Sequence, residues 1–136
     1  MNLVGSQIAE AAEKLVGCPF RLYGRDPAAG LDCVGVVLLA LRRTGQGAHD
    51  LQGYGLRNLA IDRHIAFAAQ LGLLDARGAT EPGDVLLFRL SAAQFHLGVV
   101  NARGGLIHAH AGLRRVVTTS QHASWPIERH WRLAHD

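Results

Sequence analysis

The sequence predicts an α+β fold, with helices in its first half and an antiparallel sheet in its second. Before Pro82, apolar residues recur at spacings of three and four, the period of an amphipathic helix. After Pro82-Gly83, short runs rich in Val, Leu, Ile and Phe alternate with turn residues, which is typical of β-hairpins. The 136 residues are enough for one hydrophobic core, so a single domain over residues 1–136 is expected.

Three helices are predicted in the first half, each with an apolar stripe and a glycine close to its end. They cover residues 7–16, from 32 or 33 to 44, and about 58–71. Ser6 lies just before the first of them and is predicted to be its N-cap. The second is the most apolar, so it is expected to be the buried central helix. Residues 20–31 and 45–55, which contain several glycines, are predicted to be loops.

Five strands are predicted in the second half, at residues 84–89, 96–101, 106–110, 114–118 and about 127–133. Arg103-Gly104-Gly105 and Ala111-Gly112 are predicted to be the turns of two β-hairpins. Strands joined by such short turns are antiparallel neighbours. The expected sheet is therefore antiparallel and is formed by the C-terminal part of the chain.

The composition is that of an ordinary globular protein and excludes several classes of function. Hydrophobic residues make up 49% and charged residues 18% of the chain, and the formal net charge is +3. The arginines are scattered, whereas a nucleic-acid-binding domain carries a basic stripe with interleaved aromatic residues, so no nucleic-acid partner is expected. No apolar run reaches the length of a membrane span, and no signal peptide is visible. Synthesis in the cytoplasm without membrane insertion is therefore expected.

Cys33 is the candidate nucleophile. It lies in the first turn of the predicted central helix, where unpaired backbone N–H groups and the helix dipole favour a thiolate over a thiol. The alternative is that Cys33 is a small core residue, the usual fate of a free cysteine. Gly30 and Gly35 argue against this. Gly30, before the helix, permits a sharp entry, and Gly35, within it, costs about 1 kcal/mol and is expected where another backbone or a substrate approaches closely. With Cys18, the chain has too few cysteines for a disulfide scaffold.

Two histidines on neighbouring predicted strands complete a candidate catalytic site. His96 is near the start of its strand and is expected to project toward the helices. His108 lies on the next strand, and antiparallel neighbours can hold two imidazoles within hydrogen-bond distance. A thiol, a base and a residue that orients the base form a catalytic triad. We therefore predict that His96 is the general base and His108 the orienting residue.

His110 leaves two alternatives open. It shares a strand face with His108, so it is either a substitute for the orienting residue or a residue at the rim of the site. Together with Cys33 and His96, these two histidines are also compatible with a zinc site. Zinc sites seldom take all their ligands from widely separated positions without a close Cys-x-x-Cys pair, so no metal and no cofactor are expected.

The motifs resemble those of the NlpC-type papain-like cysteine peptidases, which cut peptides of the bacterial cell wall. Five pieces carry the resemblance and occur in family order: Gly17-Cys18-Pro19-Phe20, Gly30-Leu31-Asp32-Cys33-Val34-Gly35, Pro82-Gly83-Asp84-Val85-Leu86-Leu87-Phe88, His96-Leu97-Gly98-Val99-Val100 and Leu106-Ile107-His108-Ala109. The resemblance implies a papain-like (NlpC-type) fold, in which the nucleophile begins the central helix and the helices pack on the sheet. The chain is similar in particular to members encoded with phage tail genes, including those of gene transfer agents, where an apolar residue such as Val34 follows Asp-Cys.

Carried over to this sequence, the resemblance implies Cys33 as nucleophile, His96 as general base and His108 as the third polar member. It also implies hydrolysis of an amide bond in the peptidoglycan stem peptide, typically the γ-D-glutamyl bond to a diamino acid. The implied partners are this stem peptide as substrate and phage-type tail proteins. A tail-associated protein that acts on the cell wall is therefore expected.

Two residues depart from the family pattern. At the position of Phe20 many members have a tyrosine, and the hydroxyl of that tyrosine assists the oxyanion site. Tyr23 is the candidate replacement for this hydroxyl; the alternative is that Tyr23 is a loop aromatic that covers the core. Val34 replaces a common serine, which removes a substrate contact. The backbone N–H of Cys33 remains an oxyanion donor. Asp32 either binds a substrate amine or caps the helix, and we favour the cap.

The departures at Phe20 and Val34 also motivate a second function. In this alternative the chain is a catalytically degenerate member of the family, retained as a structural or wall-binding part of a tail assembly. The two hypotheses differ in whether Cys33 reacts with a substrate.

Overall fold

The computed structural model describes residues 3–44, 61–91 and 94–133. Within these ranges the chain forms three helices and eight strands, which are, in chain order, α1 (Leu3–Glu13), β1 (Arg25–Asp26), β2 (Gly30–Leu31), α2 (Cys33–Arg42), α3 (Ile61–Gln70), β3 (Leu73–Asp75), β4 (Val85–Ser91), β5 (Gln94–Val100), β6 (Leu106–His110), β7 (Arg115–Thr119) and β8 (Ile127–Leu133). None of these helices is long and apolar enough to cross a membrane. The N-terminal helices and the C-terminal sheet confirm the predicted α+β fold.

The main sheet has six strands among the described residues, in the order β3-β8-β4-β5-β6-β7, and neighbouring strands are antiparallel. All five predicted strands are present, and the bounds of β6 and β8 are those predicted. The sixth strand, β3, is absent from the sequence prediction because its three residues are too few to show an alternating pattern. Its pairing with β8 is what makes it a strand.

Helix α1 starts earlier than predicted. It begins at Leu3, so Ser6 lies inside the helix and is exposed, and the prediction that Ser6 is the N-cap is wrong. The first turn is held by a tertiary contact instead. Gly5 is buried, and its backbone lies so close to Gly83 that a Cβ on Gly83 would overlap it. The helix also ends before the predicted residue 16.

Helix α2 is the buried central helix that the sequence predicts. Asp32 is in an extended conformation and caps the helix by accepting a hydrogen bond from the Gly35 backbone N–H at 2.9 Å. Nearly every residue of the helix is buried, including Cys33 at its start. Helix α3 ends at Gln70, close to the predicted end, whereas its predicted start at residue 58 and the predicted loop 45–55 lie outside the described residues.

The predicted loop before α2 contains a small hairpin. Strands β1 and β2 are antiparallel, with Arg25 opposite Leu31. The segment packs on α2 where the helix has a glycine, since a Cβ on Gly35 would overlap the carbonyl oxygen of Gly24. This contact is the close backbone approach that a glycine within the helix predicts. The hairpin therefore lies directly over the N-terminal end of the central helix.

The sheet separates two apolar clusters. The larger cluster lies between the helices and the sheet, and its members include Cys33, Leu87, Leu97, Val99 and Trp131. The smaller cluster consists of Leu86, Phe88, Val100 and Leu106, with Trp125 packed against it. Because successive residues of a strand point to opposite faces, adjacent residues such as Leu87 and Phe88 belong to different clusters. Both faces of the sheet are therefore covered in its middle.

A buried carboxylate joins the start of β4 to β8. Asp84 has no exposed surface and accepts hydrogen bonds from Arg132 Nε at 2.8 Å, Arg132 Nη2 at 2.9 Å and the Glu81 backbone N–H at 2.8 Å. His130 Nε2 lies 2.6 Å from the same carboxylate. Burial alone would raise the pKa of Asp84, but the hydrogen bonds from Arg132 and His130 outweigh burial and hold the pKa below the ordinary 3.8.

Asp84→Asn is expected to lower the free energy of unfolding by about 3 kcal/mol at neutral pH, because it removes the charge that a buried hydrogen-bonded network is built around. Since folding lowers the pKa of Asp84, its stabilisation is present above pH 3.8 and is lost as the pH falls through the folded-state pKa. Urea denaturation at neutral and at acidic pH measures both effects. Glu81→Gln is the control, because the ion pair of the exposed Glu81 with Arg132, at 3.4 Å, contributes less than about 1 kcal/mol. Equal losses in the two variants would contradict the assignment.

Candidate active site

Cys33 begins α2 at the place where two strands of the sheet separate. Strands β5 and β6, both fully described, pair at residues 99–100 and 106–107, and their ladder stops before Leu97. The backbone N–H of Leu97 donates a hydrogen bond to the sulfur of Cys33. Cys33 is buried, with only 1% of its surface exposed. Helix α2 and strand β5 therefore hold the thiol between them.

The structure brings His96 and His108 together. His96 Nε2 is 2.7 Å from His108 Nδ1, and the two rings are almost perpendicular, with 88° between their planes. The other nitrogen of His108, Nε2, lies 2.8 Å from the hydroxyl oxygen of Thr119. His108 is only 2% exposed, and both of its nitrogens have partners within the protein. The nitrogen of His96 that remains for the Cys33 thiol is Nδ1.

The two imidazoles lie on the face of the sheet that carries the smaller apolar cluster. In the strand register His96 is opposite Phe88 of that cluster, and the His108 ring contacts Trp125 at 5.6 Å between centroids. The prediction that His96 projects toward the helices is therefore wrong, because its neighbour Leu97 takes that face. Although they lie on this face, His96 and His108 line the same cleft as Cys33, beyond the residues at which β5 and β6 pair.

A cleft with a volume of ≈ 430 Å³ contains these groups. Cys33, His96 and His108 all line it. The rest of its wall is mainly apolar or aromatic and is formed by Phe20, Leu90, Gln94, Phe95, Ala109, His110, Ala111, Gly112 and Trp125. Apolar walls around a few polar reacting groups are typical of sites that bind a substrate and attack one of its bonds.

The pKa values of Cys33, His96 and His108 are all shifted in favour of the uncharged forms. Burial, with the charge of Asp32 adding to it, raises the pKa of Cys33 to about 12, although the hydrogen bond from Leu97 opposes the rise. Burial lowers the pKa of His96 to about 3 and that of His108 to about 4, and the neighbouring histidines lower both further. The expectation of a thiolate at the helix N-terminus is therefore wrong for the protein without substrate, because burial outweighs the effect of the helix end.

Asp32 is occupied by structural contacts. Its carboxylate accepts hydrogen bonds from the backbone N–H groups of Gly35 at 2.9 Å and Tyr23 at 2.8 Å, and it pairs with Arg25 Nη1 at 2.8 Å. The predicted cap of α2 is present. Asp32 has no exposed surface, and all of these contacts are those of the favoured capping role.

Of the two aromatic candidates for the oxyanion site, the structure brings only Phe20 to the cleft. Phe20 lines the cleft but has no donor group. Tyr23 is 50% exposed and lines a separate surface pocket beside Arg21 and Arg42. Its backbone has a φ of +63°, and its N–H is directed at the Asp32 cap. The structure therefore does not bring the Tyr23 hydroxyl to the site.

His110 is a wall residue of the cleft. Its ring lies beside that of His108, with 5.9 Å between centroids. Its Nδ1 accepts a hydrogen bond from the Leu113 backbone N–H at 3.0 Å, which ties the imidazole to the turn between β6 and β7. The imidazole within hydrogen-bond distance of His96 is that of His108.

The zinc arrangement is not formed by the residues that the structure describes. Among them, no group of three or more His, Cys, Asp or Glu side chains is placed to hold a metal ion. His108 directs one nitrogen at His96 and the other at Thr119, so it has no nitrogen directed at an ion shared with Cys33.

Thr119 and Trp125 are residues of the site that the sequence does not reveal. Thr119 lies just beyond the predicted end of its strand at residue 118. In the observed register His108 is opposite Val117, and the two-residue period then puts Thr119 on the face of His108. Trp125 belongs to an irregular segment between β7 and β8, where no periodicity indicates which way a side chain points.

Alkylation of Cys33 by iodoacetamide is expected to be slow at pH 7 and to accelerate by about tenfold per pH unit up to about pH 10, because the reactive thiolate is the minor form below the raised pKa. Mass spectrometry of the alkylated peptides measures the rate, with the half-buried Cys18 as internal reference. A fast rate that is constant from mildly acidic to neutral pH would instead indicate a thiolate–imidazolium pair.

The fold is shared with solved structures, although no protein-family profile and no curated protein matches the sequence. NlpC2 from Trichomonas vaginalis superposes on 95% of the chain with a TM-score of 0.69 and 20% identity, over 47% of its own length. The NlpC/p60 domain of the peptidoglycan hydrolase SagA superposes on 93% of the chain with a TM-score of 0.60 and 21% identity, over 97% of its length.

A third structure, of a lipoprotein-like NLP/P60-family protein from Staphylococcus aureus, superposes on the whole chain with a TM-score of 0.66 and 16% identity, over 43% of its length. The chain thus spans about half the length of the first and third of these proteins. The α+β arrangement of three helices and an antiparallel sheet, with a cysteine at the start of the central helix, is the papain-like fold of the NlpC/P60 domains.

Proposed function

We propose that the chain is a cysteine peptidase of the NlpC/P60 type that hydrolyses an amide bond of bacterial peptidoglycan. One observation carries the proposal: Thr119, His108 and His96 form a hydrogen-bonded series that ends in the same cleft as the Cys33 thiol. A thiol with an oriented base next to it is the arrangement needed for nucleophilic catalysis. The same fold in SagA belongs to a peptidoglycan hydrolase, which supports the cell wall as the substrate.

The neutral resting state defines the first chemical step. His96 Nδ1 takes the proton from Cys33 as the sulfur attacks the carbonyl carbon of the scissile amide, so that charge develops only when substrate is present. The carbonyl oxygen becomes an oxyanion, for which the Cys33 backbone N–H at the start of α2 is a donor. When the oxyanion collapses, the C–N bond breaks, and the leaving amine takes the proton from His96.

The second step regenerates the thiol. The first step leaves a thioester between Cys33 and the acyl part of the substrate. His96, neutral again, removes a proton from a water molecule that attacks the thioester carbonyl carbon. Collapse of this second intermediate breaks the C–S bond, and the sulfur recovers a proton from His96. Throughout, the hydrogen bond between His96 Nε2 and His108 Nδ1 fixes the orientation of the base.

The proposed scissile bond is the γ-D-glutamyl bond to a diamino acid in the stem peptide. The motif Asp32-Cys33-Val34 and the order of the other motifs support this choice through their resemblance to NlpC-type peptidases. The same pattern supports a phage-type tail or gene transfer agent as the carrier that brings the domain, made in the cytoplasm, to the wall. The second candidate function, a degenerate wall-binding module, is favoured by Phe20, which gives the cleft no hydroxyl.

Incubation of the purified chain with diaminopimelate-containing muropeptides is expected to release stem-peptide fragments, detected by mass spectrometry. Cys33→Ala should reduce the rate by a factor on the order of 10³ or more, because it removes the nucleophile. Cys18→Ala is the matched control, since it removes the other thiol of the chain, and it should retain the wild-type rate.

Two outcomes separate the candidate functions. Hydrolysis that persists in Cys33→Ala excludes the proposed mechanism. Binding of muropeptides by the wild-type chain without any cleavage favours the degenerate module. Slow alkylation of Cys33 does not separate them, because burial alone makes the thiol slow to react.

A further inference from the structure

We propose that Thr119 is a positioning residue of the catalytic site. Its hydroxyl accepts the Nε2 proton of His108 and so keeps both imidazoles in the tautomer in which His96 acts as a base. The inference rests on the proposed function, since it concerns the same proton transfer. Two distances in series carry it: 2.7 Å from His96 Nε2 to His108 Nδ1, and 2.8 Å from His108 Nε2 to Thr119 Oγ1.

The two hydrogen bonds of this series can be donated in either of two directions, and only one, which we call the active direction, leaves His96 able to take a proton from Cys33. A neutral imidazole carries one proton, and its other nitrogen is an acceptor. If His96 donates from Nε2, its Nδ1 keeps a free lone pair, and His108 accepts at Nδ1 and carries its own proton on Nε2. In the opposite direction His108 donates from Nδ1, so His96 holds its proton on Nδ1 and cannot act as a base there.

The active direction requires an acceptor for the Nε2 proton of His108. His108 is 2% exposed, and its ring lies against those of Trp125 and His110, with centroids 5.6 and 5.9 Å away. The Thr119 oxygen is the group within hydrogen-bond distance of this nitrogen. It is placed there by the pairing of β6 with β7, in which His108 is opposite Val117 and Thr119 follows on the same face.

Loss of the Thr119 hydroxyl disfavours the active direction more than the opposite direction, in which His108 Nδ1 donates to His96 Nε2. A buried N–H without an acceptor is rarer and costlier than a buried acceptor without a donor. Without the Thr119 oxygen, the pair is expected to shift toward the form in which His108 Nε2 carries no proton. His96 then holds its proton on Nδ1. The effect of Thr119 thus reaches Cys33 through two imidazoles, without contact between Thr119 and the substrate.

The test compares three variants of the full chain. Thr119→Val removes the hydroxyl but keeps a branched side chain that suits a strand, and Thr119→Ser restores the hydroxyl. Thr118→Val is the matched control, since it makes the same change at the adjacent, exposed position of β7 on the opposite face. Imidazole ¹⁵N chemical shifts, assigned with His96→Gln and His108→Gln, report the protonated nitrogen independently of activity. Hydrolysis of the stem peptide gives kcat and KM.

Wild type, Thr119→Ser and Thr118→Val are expected to carry the His96 and His108 protons on Nε2. Thr119→Val should move the His108 proton toward Nδ1 and lower kcat by about tenfold with KM unchanged. A wild-type His108 protonated on Nδ1, or an unchanged His108 tautomer in Thr119→Val, overturns the inference. If the wild-type chain shows the expected tautomers, and Thr119→Val shifts them, but no muropeptide is cut, the proposed function fails while the positioning role of Thr119 stands.

Discussion

The capping of α2 by Asp32 is the interaction on which the site depends. The buried carboxylate of Asp32 fixes the first turn of the helix through Gly35 and the preceding hairpin through Arg25. It also holds the backbone just before that hairpin through Tyr23. The sulfur of Cys33 can occupy a defined position only because the backbone before and after it is held in this way. The same carboxylate raises the pKa of the thiol that it positions. Asp32 therefore has two opposing effects on Cys33: it fixes the position of the thiol, and it disfavours the ionisation of the thiol.

Because Asp32 disfavours ionisation of the thiol, the proposed reaction depends more on the histidines than on the N-terminal end of α2 for removal of the Cys33 proton. A helix N-terminus alone favours a thiolate, but here burial and the Asp32 charge keep the proton on sulfur. In the proposed mechanism, a base with a free lone pair must then remove the proton as the bond to carbon forms. Beyond residues 99 and 107, where β5 and β6 are no longer paired, His96 and His108 line the same cleft as the thiol on the helix side.

The local sequence pattern predicts the helices, most of the strands and the position of Cys33 at the start of α2. Features that the pattern does not predict depend on contacts between distant parts of the chain. Asp32 before Cys33 and the glycine at Gly35 indicate a capped helix with a close backbone neighbour, and both features are present. The start of α1 differs because it depends on a contact between Gly5 and Gly83, which are distant in the sequence.

The chemistry of the site is harder to predict than its residues. The face taken by His96 depends on strand register, which two-residue alternation leaves undefined until one inward residue is known. The charge state of Cys33 depends on how deeply the fold buries it, a quantity to which every packed neighbour contributes. Thr119 follows from the pairing of β6 with β7, and its own sequence context carries no sign of its contact with His108.

The uncharged resting state of Cys33, His96 and His108 also bears on the medium in which the protein works. Mobile ions screen interactions between separated charges, and they have little effect on a proton shared among neutral, buried groups. A thiolate–imidazolium pair open to solvent would lose attraction as salt concentration rises. In the proposed mechanism charge separates only within an occupied cleft, so the reactivity is expected to be largely independent of ionic strength. Salt is then expected to act on the approach of a charged substrate to a chain whose formal net charge is +3.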